Sequence, residues 1–403
     1  MKETKIKGKK YGFSNILLIP VLVVVFVFFV ILVINQVDYP NSDFFTFWLS
    51  GRLFSLGENP YDRQVWIGGH HQFGATWIPN ATFIYPMPIP LLFAPLGLLP
   101  LPQAFIIWVI LSLCMIFFAF ILLLKAHPNY PYDNFILPVF IGVMLFRPVF
   151  PTLLNGQLSG FLLFVLAAIS YLWEKGKWNQ GAILMTVLAL KPNLGIPIIG
   201  LLSLYLIFCK RLSALITSII FGGFLIFVGF VQNPNWVIEF WNAGNTKLSQ
   251  TFGISPTIWG ITSFFCNFDQ TCTVIVGISI GLLFIIGYLY LLVKKRNILP
   301  PSVVVGIAVA ITLLLTPYTW SYDQLLLVAP ILTFIFLLVK NGYGFLPVSL
   351  LFLGIDIFAL FLLWIATIVR LDIWNASIPL LVLCLLIWFI LTDKVMLPEV
   401  EAG

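Results

Sequence analysis

Charge is scarce in this sequence. Only 9% of its 403 residues are Asp, Glu, Lys or Arg, against 61% hydrophobic. So little charge cannot coat a water-facing surface, which excludes a separate soluble domain. Histidine and cysteine are also rare, at three and five. No His/Cys cluster has zinc spacing, and five cysteines are too few for a disulfide scaffold. Cys114, Cys209 and Cys384 fall in or beside apolar runs, as buried thiols do. Glycine-rich nucleotide loops, fixed-period repeats and low-complexity runs are absent. The net charge of +6 does not indicate nucleic acid, because the basic residues form short clusters between apolar runs. The expectation is therefore no cofactor, no metal and no nucleic-acid partner.

What the sequence has is apolar length, with a mean hydropathy of +1.05. A helix needs roughly 20 apolar residues to cross the hydrocarbon core. Candidate spans are 15–35, 102–124, 135–151, 158–173, 180–192, 194–208, 212–231, 274–293, 301–317, 323–339, 344–367 and 375–391. The short stretches 135–151, 158–173 and 180–192 suit broken or tilted helices, which leaves about 10–12 transmembrane helices. The fold class is all-α, a polytopic integral membrane protein with one multi-span domain over 1–403. The lysine-rich start precedes an apolar run too long for a signal peptide and without a cleavage site, so it reads as an uncleaved span with its amino end in the cytoplasm. In this topology most of the 21 Lys and Arg residues are cytoplasmic, as the positive-inside rule requires.

Two long loops then face the other side, 36–101 and 232–273. The first holds Asp38, Asp43, Glu58, Asp62, Arg52, Arg63, His70 and His71, a dense group of ionisable side chains for this chain. Residues 43–56 read as a helix lying at the membrane interface, with Asp43, Thr46 and Ser50 as a narrow polar stripe. Residues 86–100 are apolar but interrupted by prolines, which suits a juxtamembrane or re-entrant segment. His70 and His71 lie in a glycine-flanked stretch that reads as a solvated loop. In the second loop, Cys266 and Cys272 face an oxidising compartment, and the topology allows them to pair.

Several residues invite chemistry. Asp43 suits a helix N-cap, and equally a general base that takes a proton from an acceptor hydroxyl. Lys191, between two apolar segments, suits either an interfacial lysine or a cation for a lipid phosphate. Arg63 and Arg147 are candidates for the same phosphate, although Arg63 also has Asp62 beside it. Asp323 opens a span and suits a cap. Asp356, inside a span, should face the bundle interior. These features alone do not separate an enzyme from a transporter or flippase for a lipid-linked or polar substrate, or from a catalytically silent scaffold.

Five ordered motifs carry a resemblance. They are Asp43-Phe-Phe-Thr-Phe-Trp48 with Gly57-Glu-Asn-Pro-Tyr-Asp62; Phe83-Ile-Tyr-Pro-Met-Pro88 running on to Pro100; Asn155-Gly-Gln157; Lys191-Pro192; and Thr316-Pro317 with Trp320-Ser-Tyr-Asp323. Together they resemble glycosyltransferase family 87, the polyprenol-phosphate-mannose-dependent mannosyltransferase-like membrane proteins of GT-C fold. Two departures stand out. Met87 replaces a usual second proline, and Tyr322 and Asp323 stand where some members carry histidines. The resemblance implies transfer of a sugar, mannose first, from a polyprenyl-phosphate carrier to a hydroxyl of a glycolipid or glycan acceptor. It implies single displacement with inversion at the extracytoplasmic face of a bacterial plasma membrane. In this reading Asp43 is the catalytic base, and Lys191, Arg63 and Arg147 hold the donor phosphate. Asp62, Tyr85, Asn155, Gln157, Tyr322 and Asp323 contact sugar or acceptor.

Overall fold

The computed structural model describes residues 13–127, 136–296 and 298–392. The lysines of the first ten residues and Lys394 lie outside them. The described residues contain α-helices and short 3-10 turns and no strand. The helices are α1 (Phe13–Ile34), α2 (Asp43–Ser55), α3 (Arg63–Gln72), α4 (Pro88–Gly97), α5 (Leu101–Ala126), α6 (Ile136–Leu145), α7 (Val149–Leu154), α8 (Ser159–Glu174) and α9 (Trp178–Val187). They continue as α10 (Pro192–Phe208), α11 (Leu212–Gln232), α12 (Trp236–Thr251), α13 (Ile258–Phe265), α14 (Gln270–Lys295), α15 (Pro301–Leu315), α16 (Val328–Lys340), α17 (Phe345–Val369) and α18 (Ser377–Leu391).

All twelve expected spans fall on helix. Six described helical stretches are long and apolar enough to cross a membrane unaided, and seven further apolar helices are shorter. The stretch 135–151 is broken into α6 and α7, and the break falls at Phe146-Arg147-Pro148. Proline cannot donate to the helix ladder and crowds the preceding turn, which accounts for the interruption. Among the described residues, then, the chain is an all-α polytopic membrane protein.

Burial sorts the helices into two classes. α15 is buried along nearly all its length, and α16 likewise. The small and β-branched run Val303-Val-Val-Gly-Ile-Ala-Val-Ala310 lets neighbours approach closely, and Pro330 of α16 lies against Gly306. α8, α10 and α18 surround this pair. In contrast, α11, α14 and α17 expose large apolar side chains such as Ile220, Phe227, Leu283, Ile286, Phe361 and Trp364. In water such faces would aggregate; in a bilayer they are the natural lipid contact. Asp356 of α17 is buried, facing protein as expected, and its Oδ1 has no hydrogen-bond partner among the described residues.

Between α1 and α5 the chain folds into a compact cap. The helix expected at 43–56 forms as α2, and its apolar face is covered by protein. Phe44, Phe45, Phe47, Trp48, Leu49 and Leu53 are all buried. Six large apolar side chains in thirteen residues outweigh the thin polar stripe, and Ser50 spends its hydroxyl on the Phe47 carbonyl at 2.8 Å. The proline-interrupted segment becomes α4 and crosses α2 at two glycines. A Cβ on Gly51 would stand 2.4 Å from the Phe93 carbonyl oxygen, and one on Gly97 would stand 2.4 Å from the Arg52 nitrogen. Trp48 and Arg52 donate to the Leu99 and Gly97 carbonyls at 3.0 and 3.1 Å, fixing the pair.

One correction concerns the histidines, which sit on α3 rather than in a loop. His70 is buried against Phe45, with Nδ1 2.8 Å from the Trp66 carbonyl, and only His71 is exposed. Asp62 caps this helix by accepting from the Gln64 and Val65 amides, which outweighs the helix-breaking tendency of Gly68-Gly69. Between α11 and α14, Cys266 and Cys272 form a disulfide.

Candidate functional site

The site begins at the first turn of α2. Ser42, not Asp43, occupies the N-cap position, and its hydroxyl bonds back to the Tyr39 carbonyl at 2.9 Å. Asp43 is the first helical residue, one position beyond the cap that its residue type suggests. Its carboxylate is thereby free to look outward from the helix end.

Asn155-Gly-Gln157, between α7 and α8, clasps this helix end. The Asn155 carbonyl accepts from the Phe44 amide at 2.8 Å. Gly156 has φ +61°, and a Cβ there would lie 2.5 Å from the Phe44 Cβ, so the backbone and the contact both require glycine. The Gly156 carbonyl accepts from the Trp108 indole at 2.9 Å. With the loop held at three points, Gln157 delivers its Nε2 to Asp43 Oδ2 at 2.6 Å.

From Gln157 the network continues inward. Its Oε1 accepts from Lys191 Nζ at 3.0 Å, and Lys191 also donates to Asp323 Oδ1. Asp323 accepts from Ser159 Oγ at 2.7 Å and Thr319 Oγ1 at 2.9 Å, while the Trp320 amide caps it at 3.3 Å. Lys191, Gln157 and Asp323 are buried. A buried ion pair costs least when its other lone pairs and protons find partners; here Asp323 accepts from Lys191, Ser159, Thr319 and Trp320, and Lys191 donates to Asp323 and Gln157. The turn that presents Lys191 depends on Gly195, where a Cβ would collide with the Leu188 carbonyl. Asn193 Nδ2 ties the same turn to the Tyr318 carbonyl at 3.1 Å. Lys191 Nζ lies 5.3 Å from the centre of the Tyr322 ring.

Asp43 differs from its inner partners in being half-buried, so it still meets solvent. Burial raises its carboxyl above the ordinary 3.8; the Gln157 hydrogen bond and the charges of Lys191 and Lys247 pull it back, and Asp323 pushes it up. Tyr85, half-buried beside Phe47, has its phenol pushed well up by burial and by the Asp43 charge.

The expected site residues divide accordingly. Asp43, Gln157, Lys191 and Asp323 form one hydrogen-bonded chain, with Tyr85 and Tyr322 beside it. Asn155 contributes its backbone, while its side chain bonds the Pro151 carbonyl at 2.9 Å. Arg147 donates to Asn375 Oδ1 at 2.9 Å and Ser321 Oγ at 3.0 Å, and stands 4.0 Å from Asp372. It braces the turn before Tyr322 and does not bond to the chain. Arg63 and Asp62 are exposed; Arg63 donates to the Asn80 carbonyl at 2.6 Å and Asp62 caps α3. Neither bonds to the chain. One residue escaped sequence reasoning: Lys247 of α12, whose charge acts on Asp43.

These features define a helical membrane protein with a carboxylate half-open to solvent, tethered to a buried Lys–Asp pair. A family model for glycosyltransferase family 87 matches residues 83–317, more than half of the chain. The protein belongs to glycosyltransferase family 87, and so is a membrane glycosyltransferase. No curated protein matches it. The matched segment contains Gln157 and Lys191; Asp43 and Asp323 flank it and are joined to it by the hydrogen bonds above.

Proposed function

We propose that the protein transfers a sugar, mannose first, from a polyprenyl-phosphate carrier to a hydroxyl of a glycolipid or glycan acceptor, at the extracytoplasmic face of a bacterial plasma membrane. The observation that carries this reading is the half-buried Asp43 carboxylate held by Gln157 at 2.6 Å. A base must be aimed and reachable by the acceptor, and this carboxylate is oriented by Gln157 and only half-buried.

The reaction balances as a single displacement. The acceptor oxygen forms a bond to the anomeric carbon as its proton passes to Asp43. The bond from that carbon to the phosphate oxygen breaks, and its electron pair leaves with the phosphate. Negative charge thus moves from Asp43 to the departing polyprenyl phosphate. Lys191, already joined to Asp323 and Gln157, holds Gln157 in the rotamer that orients Asp43, and so positions the base. Tyr85 and Tyr322 present rings suited to a sugar face. The apolar faces of α11, α14 and α17 suit a carrier chain that approaches from the bilayer.

The test uses the purified full chain in nanodiscs with labelled polyprenyl-phosphate mannose and a panel of acceptors. Asp43→Asn keeps the size and removes the base, and transfer is expected to fall about 10²-fold or more. Transfer that survives the change overturns the base assignment. Silence of the folded wild type with mannose, and then with glucose, galactose and arabinose carriers, overturns the donor class.

A further inference from the structure

If a phosphate leaves this site as a dianion, a cation should meet it. The other cations proposed for the phosphate, and Arg52 of the cap, are committed. Lys191 is bonded to Asp323 and Gln157. Arg147 is taken by Asn375, Ser321 and Asp372. Arg63 is exposed on the Asn80 carbonyl. Arg52 donates to the Gly97 carbonyl and lies against the Trp48 and Phe73 rings.

Lys247 is different. On α12 the residues Trp236, Ala243 and Thr251 are buried and Phe240 is partly so, spacings of three, four and eight that mark one helix face. Lys247 lies on that face between Ala243 and Thr251, so its stem runs inward, and it is half-buried. The start of α12 is locked to the α2–α4 cap, because Glu239 accepts from Asn59 Nδ2 at 3.2 Å and Asn233 Nδ2 at 2.6 Å. With the helix so held, the charges of Lys247 and Asp43 act on one another. The Lys247 ammonium has no hydrogen-bond or ion-pair partner among the described residues, although the backbone carbonyl accepts from Thr251 Oγ1 at 2.9 Å. Removing an ammonium from water without a partner is costly, and a lysine so placed is commonly completed by an anion.

We propose that Lys247 binds the phosphate of the lipid-linked donor and receives the charge that leaves Asp43 during transfer. The proposal rests on the donor class given above. It makes α12 the donor-side wall and gives the two lysines separate work: Lys191 positions the base, Lys247 holds the leaving group. Burial also lowers the affinity of Lys247 for its own proton, with Asp43 opposing this. An incoming phosphate adds a second anion that favours the charged form.

The test measures binding rather than turnover. Polyprenyl monophosphate and uncharged polyprenol are titrated into the full chain in nanodiscs, as wild type, Lys247→Met and Lys247→Arg. Lys247→Met is expected to weaken the phosphate lipid about tenfold or more, as loss of a charged hydrogen bond does. Lys247→Arg is expected to retain binding, and polyprenol binding should not change in either variant. Independently, polyprenyl monophosphate should shield wild-type Lys247 from an amine-reactive label, read by peptide mass spectrometry. Equal binding by wild type and Lys247→Met, or labelling unaffected by the lipid, overturns the assignment while the donor class stands. A wild type that binds no polyprenyl monophosphate overturns both.

Discussion

At the scale of single residues, Asp43 shows how environment tunes the carboxylate proposed as the base. Burial pushes its pKa above 3.8, whereas Gln157, Lys191 and Lys247 restrain it. In the proposed role the ionised form is the active one, so activity should fall as pH drops through this raised value. Tyr85 also senses this charge. Gln157→Met removes a donor that favours ionisation, so the acid limb of kcat/KM should move to higher pH. A pH–rate profile of the two proteins checks this, and a limb that stays put would separate Gln157 from the proton transfer. Asp43 was visible in the sequence because a carboxylate before an aromatic helix is unusual in so apolar a chain. Lys247 was not, because a loop lysine reads as solvated until its helix shows which face is covered. Asp62 and Arg63 show the limit of adjacency: it groups charges in sequence, but the Asp62 carboxylate bonds backbone amides and Arg63 the Asn80 carbonyl.

Among the elements, the clasp on α2 deserves the closest test. Gly156 must be left-handed and must touch Phe44. Gly156→Ala adds a conformational cost of about 1–2 kcal/mol, and the Cβ collision comes on top of it. Thermal stability in detergent should drop, and transfer should drop further than stability alone explains, because Gln157 loses its aim. The spans were legible from apolar run length, which the bilayer dictates. The broken α6–α7 stretch was legible as short, and Pro148 supplies the reason. The cap was harder. The period of Asp43, Thr46 and Ser50 signalled a polar stripe, but the partner that covers α2 is α4, a segment whose prolines argue against helix. Pro88 and Pro90 lie in its first turn, where no intrahelical amide bond is lost. The same competition misled the reading of His70, where two glycines suggested a loop and the Asp62 cap outweighed them.

For the whole molecule, the decisive contacts join distant stretches of chain. Asn59, Glu239 and Asn233 tie the segment after α2 to the segment that becomes α12. Glu239→Ala should cost about 1–2 kcal/mol for the lost charged hydrogen bonds. Hydrogen–deuterium exchange should quicken across α12 and residues 57–62 and stay unchanged in α15 and α16. Sequence pattern alone could not predict this joint, since neither asparagine nor glutamate carries a signal of its partner.

The Asp43–Gln157–Lys191–Asp323 chain has a consequence for biosynthesis. Its members enter the bilayer in that order, and each waits for the next to satisfy its polar groups. A half-inserted chain therefore carries a lysine without its carboxylate, and the proposed base is not yet oriented. The last link, Asp323, arrives only when most of the helices are in place, so catalytic competence doubles as a check that insertion has run nearly to its end.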